Sequence, residues 1–176
     1  MKTSQIILVL LFTCTVLLSS CKSTSNEITK EEEEKVMVSS EISRIYYQYR
    51  AARSWSYNIE LKREGSDYYL HAEFDDPENS YEPTDLIWEG AEYAKTVKSF
   101  FDRIVEVIDD NDVLSWNGFD GYDPEAKDGW GFNLSIDFEN GARLTADGEN
   151  EFPPGYSVVE KEFYNLMNEI IAIHHE

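Results

Sequence analysis

Between Trp116 and Trp130 the chain carries five hard oxygen ligands, Asn117, Asp120, Asp123, Glu125 and Asp128, in a glycine-rich stretch. Calcium takes six to eight such oxygens. The spacing departs from the EF-hand pattern, because Asp120 to Asp123 is one residue too long and no glutamate closes the loop at the required distance. Three readings stand side by side. The first is a calcium site, the second a loop of Asx and glycine turns with a tryptophan at each end, and the third sugar stacking on those tryptophans. Calcium is the one cofactor that the sequence suggests.

Other chemistries find less material. No G-x-S-x-G elbow is present, and the histidines are His71, His174 and His175. His71 falls on the outer face of an expected strand, where a solvated imidazole is the ordinary outcome. His174 and His175 lie in an expected frayed last turn. With Glu176 they would make a weak metal site, since neighbours on a helix face different ways. An envelope hydrolase would use two opposed carboxylates. Thirty-five acidic residues always supply some pair, so abundance singles none out. Asn133-Leu134-Ser135 matches a glycosylation sequon, but Leu134 is expected in the core. The chain is therefore read as non-enzymatic.

The remaining reactive group is a cysteine. Lys2 is followed by an almost uncharged apolar run from Ile6 to Leu18, then Ser19-Ser20-Cys21. The run is shorter than the roughly 20 residues of a membrane-spanning helix. This segment resembles a bacterial lipoprotein signal with its lipobox. The resemblance implies that residues 1–20 are removed, that Cys21 is acylated, and that the protein faces outside the cytoplasm on a lipid anchor. Lys22 is not the aspartate associated with inner-membrane retention, which in a Gram-negative cell points to the outer membrane. Cys14 would leave with the leader and Cys21 carries lipid, so no disulfide is expected.

The net charge of −20 repels nucleic acid and anionic headgroups, and favours basic partners or cations. Residues 21–38, with the run Glu31-Glu32-Glu33-Glu34, read as a flexible acidic tether. Residues 39–176 are long enough for a single domain.

The domain must then position these groups. Period-two alternation predicts three opening strands, through Ile45-Tyr47-Tyr49, Trp55-Tyr57-Ile59-Leu61 and Tyr68-Leu70-Ala72-Phe74. A helix through Ile42, Ile45 and Tyr49 is also open for the first. A two-residue turn at Glu64-Gly65 would set Leu61 opposite Tyr68 and Lys62 opposite Asp67. Asp75 to Glu89, with Pro77 and Pro83, reads as a loop. A helix follows over about Ala91 to Asp109, with Val97, Phe101, Ile104 and Ile108 on one stripe. Phe132 to Phe138 begins a second hairpin. A three-residue loop, Glu139-Asn140-Gly141, pairs Asp137 with Arg143 and requires a left-handed Gly141. The last helix is expected from Ser157, with Glu160 completing a capping box. The order β-β-β-α-β-β-α predicts an α+β domain, one antiparallel sheet of about five strands with two helices on one face.

The strings Trp116-Asn117-Gly118-Phe119, Asp128-Gly129, Asn140-Gly141 and Ala146-Asp147-Gly148-Glu149-Asn150, with Pro153 and the closing helix, look like small domains of bacterial exported proteins. That resemblance covers about the last third of the chain. It implies the fold and no established activity. The outer sheet face would present Tyr46, Gln48, Asn58, Glu60, Tyr69, His71 and Glu73. The expectation is a lipid-anchored, non-catalytic binding module for a basic envelope protein or a glycan. A calcium-stabilised module and a carboxylate hydrolase are the alternatives.

Overall fold

The computed structural model describes residues 35–51, 55–126 and 129–176. They fall in the unit Glu34–Glu176, distinct from Met1–Glu33. The leader, Cys21, most of the tether and Asp128 lie outside the described residues.

The strands are β1 (Ile42–Ala51), β2 (Tyr57–Glu64), β3 (Asp67–Asp76), β4 (Glu82–Trp88), β5 (Phe119–Tyr122), β6 (Trp130–Phe138) and β7 (Arg143–Glu149). Helix α1 (Ala94–Asp110) separates β4 from β5, and α2 (Tyr156–His174) closes the chain. One sheet of seven strands runs β4-β3-β2-β1-β6-β7-β5. The α+β class holds. The sheet is larger than expected and is mixed, because β5 lies parallel to β7.

Both missed strands sit at sheet edges, where one flank needs no hydrogen bonds. β4 therefore tolerates Pro83 and keeps Glu82 and Asp85 in solvent, which gave it the composition of a loop. β5 has only four residues. Its Gly121 is required: a Cβ there would come within 2.7 Å of the Glu151 carbonyl oxygen.

The first strand is β1, not a helix. Ile42 and Ile45 are both buried despite their odd separation, because a bulge shifts the β1–β6 register between Ile42 and Arg44. The β2–β3 turn is Gly65-Ser66 rather than Glu64-Gly65, so Leu61 faces Leu70 and Glu64 faces Asp67. Gly65 has φ +62° and takes the first loop position, where a type II′ turn places glycine. The slip is two residues, so every side chain keeps its expected face. The β6–β7 hairpin has the expected register, Ile136 to Leu144 and Asp137 to Arg143, with Gly141 at φ +77°.

Both helices pack on the same sheet face. Val97, Phe101, Ile104 and Ile108 of α1 and Val159, Phe163, Leu166 and Ile170 of α2 share one core with Ile45, Tyr47, Ile59, Leu70 and Leu134. Two helix-end expectations change. The N-cap of α2 is a left-handed Gly155 with no side-chain cap, so there is no Ser157–Glu160 capping box. The C-terminus is pinned rather than frayed, because His175 Nε2 lies 2.8 Å from the buried Asp76 carboxylate. Residues 35–38 also depart from a free tether: Asn140 donates to the Val36 carbonyl, and Met37 packs on the core. Among the described residues no helix is long and apolar enough to cross a membrane.

Asp137 joins the two hairpin halves of the sheet. It accepts from Arg44 at 3.3 Å and from Arg143. Burial pushes its carboxyl up, but the hydrogen bonds and charges of Arg143 and Arg44 outweigh this and hold it below the ordinary carboxylate range. A depressed folded value stabilises the fold above the unfolded value of about 3.9, and that stability is lost as pH falls through the folded value. Asp137→Asn is expected to lower unfolding free energy by on the order of 1 kcal/mol at pH 7, with the difference closing as pH falls through the depressed folded value. Urea melts at neutral pH and through the acid range check this.

Candidate functional site

With both helices on one face, no described element covers the other face of the sheet. All seven residues expected there lie on it, in cross-strand rows. Tyr46, Glu60 and His71 occupy one row, and Gln48, Asn58 and Glu73 the next. Lys62 and Tyr69 form a third with Arg44. Much of this surface is already bonded to itself. Arg44 pairs with Glu60 at 2.5 Å and lies over the Tyr46 ring, and Arg50 pairs with Asp147.

One part of the face is different. Gln48, Asn58 and Glu73 open on a groove of about 350 Å³ that is also lined by Ser56, Asp75 and Asp85. Among the described residues the lining contains three carboxylates and no lysine or arginine. Asn58 Nδ2 donates to Glu73 at 2.7 Å and fixes that carboxylate in place. Asp85 was hidden from the sequence reading because β4 looked like a loop. The signal that would have found it is the alternation of Thr84, Leu86 and Trp88 against Pro83, Asp85 and Ile87.

His71, Glu73 and Asp85 meet beside this groove. His71 Nε2 is 2.7 Å from Asp85 Oδ1 and 3.8 Å from Glu73 Oε1. Their ligand atoms lie within 4.8 Å of one another, so nitrogen and oxygen donors suited to a divalent ion are gathered here among the described residues. The 117–128 loop gathers no such trio among the described residues. Asn117 Oδ1 accepts from the Thr145 N–H, and Asp123 Oδ1 from the Glu125 N–H. Asp120 is on the edge strand β5, and Asp128 lies outside the described residues. The Asp123 bond is that of an Asx turn, and the Asn117 bond ties the start of the loop to β7; both use up ligand oxygens within the fold, which supports the turn-loop reading. Trp116 anchors one end, buried and donating to the Pro154 carbonyl, whereas Trp130 stands 52% exposed.

A second hollow opens on the helix side, at the β1 end that carries Tyr49. Tyr49, Trp130, Phe152, Pro153, Tyr156 and Glu160 are among the residues lining its 510 Å³. Tyrosines pack behind it: the Tyr47 and Tyr156 hydroxyls are 3.0 Å apart, and the buried Tyr57 hydroxyl has no hydrogen-bond partner. Burial drives the Tyr47, Tyr57 and Tyr156 hydroxyls above the usual tyrosine range, and the Glu160 charge adds to this. Burial also raises the Glu160 carboxyl. No local pattern marks this cleft, because it is assembled from β1, β6, the 152–155 turn and α2. Sequence reading took Glu160 for a helix cap.

The chain matches no protein-family model, no curated protein and no solved structure.

Proposed function

We propose that this protein is a non-catalytic binding module that engages a basic partner through the uncovered sheet face, and that it is held at a membrane by lipid on Cys21. The observation that carries the reading is the groove beside β3 and β4. Glu73, Asp75 and Asp85 line it, with no lysine or arginine among the described lining residues. Opposite charge steers a partner to such a patch and fixes its orientation, and the net charge of −20 extends the attraction. The described residues hold no cysteine.

The test is retention of a partner from envelope extract on the chain from Lys35 onward, beside a Glu73→Lys/Asp85→Lys variant. A stoichiometric partner that elutes with salt and is lost by the variant is the expected result. Equal retention by both proteins, or a partner indifferent to salt, counts against the groove. Incorporation of a labelled fatty acid, abolished by Cys21→Ala, checks the anchor separately.

A further inference from the structure

We propose that the aromatic cleft between β1 and α2 is a second binding site, and that its ligand is a small alkylammonium cation. It shares only Tyr49 with the acidic groove, so it stands apart from the partner surface.

Glu160 is the charged group that lines the cleft. Its side chain projects from α2 into the cleft, where it is half-buried. It has no hydrogen-bond or ion-pair partner among the described residues. Taking a carboxylate out of water without a partner is unfavourable, and no described residue of this region compensates for it. The neighbouring groups are aromatic: Tyr49 of β1, Trp130 of β6, Phe152, and Tyr156 one turn before it. Tyr57 of β2 and Tyr47 of β1 lie behind, and the Tyr57 hydroxyl is buried, without a hydrogen-bond partner among the described residues, and in the field of Glu160. Among the described residues no lysine or arginine lines the cleft.

A ligand that suits these groups carries positive charge on an apolar surface. Alkylammonium groups do so: their charge meets the carboxylate, and their methyl or methylene groups meet the rings, whose π faces attract cations. A sugar would also stack on aromatic rings, but would leave the charge of Glu160 uncompensated. The first turn of α2 opens on the cleft through Gly155 and Ser157, and its partial charge of roughly +0.5 is smaller than that of the carboxylate.

The test is titration of the full chain with choline, with its neutral isostere 3,3-dimethylbutan-1-ol, and with cellobiose, read by tryptophan emission. Choline is expected to give a saturable change, with the isostere weaker by roughly tenfold or more. Glu160→Gln is expected to weaken choline by a similar factor while melting no lower than wild type, because it removes a half-buried charge. Choline affinity should also fall as pH drops and Glu160 protonates, since the tyrosines around it stay neutral. The proposal is overturned if choline and the isostere bind equally, if choline causes no saturable change, or if cellobiose alone does. These outcomes are independent of the groove variant, so either site can fail alone.

Discussion

Phe163→Ala is expected to be the most damaging single substitution in the domain, lowering the unfolding free energy by about 3–5 kcal/mol. Phe163 is 0% exposed and stacks on Tyr47 with ring centroids 4.0 Å apart and an 8° tilt. Tyr47 is on the central strand and its hydroxyl meets that of Tyr156, so one contact holds α2 to β1 twice over. Removing the ring leaves a cavity that neighbours fill only in part. For a domain of this size the loss corresponds to a fall in Tm of about 10 °C or more. Thermal melts followed by circular dichroism would show it. A loss below about 1 kcal/mol would mean that α2 is not held through this contact. Phe163→Leu should recover much of the loss, because it restores apolar volume.

Trp88→Ala is expected to approach the same size, about 3 kcal/mol, and its distribution is the informative part. Trp88 is the buried residue of β4, 3% exposed, and it stacks on Tyr93 at 5.3 Å and on Phe100 of α1 at 6.4 Å. The rest of β4 is exposed or half-buried and its outer flank is unpaired. The strand therefore depends on one anchor. Hydrogen exchange should show early loss of protection at Leu86 and Trp88 in the variant, ahead of β1 and β6. Because Asp85 is carried by β4, the same variant should weaken partner capture by the acidic groove. Uniform loss of protection across the sheet would show that β4 is not a separately held edge.

These two cases divide what could be read from residues alone. The α2 stripe through Phe163, the alternation of β1 to β3, and the Glu139-Asn140-Gly141 loop were legible because each is a local pattern. Side-chain period sets which face is buried, and glycine supplies the left-handed residue that the hairpin requires. Even the misplaced β2–β3 turn kept its faces, since a two-residue slip preserves parity.

Edge strands escaped the reading. β4 and β5 are half-solvated and carry the polar residues and turn formers of loops, so their identity comes from pairing with β3 and β7 and not from their own sequence. The capping box failed for a related reason: Ser157 and Glu160 had the right spacing, but the chain enters α2 through a left-handed Gly155.

An acidic α+β domain and its two apolar helix stripes follow from composition and local residue period alone. Packing between elements set where acidic charge gathers. Glu73, Asp75 and Asp85 come together across two strands, and Glu160 comes to lie among Tyr49, Trp130 and Tyr156 from separate elements. Burial and cross-strand proximity are properties of the packed chain. A local window cannot distinguish a carboxylate in water from one among aromatic rings, and that difference in solvation gives these sites their chemistry.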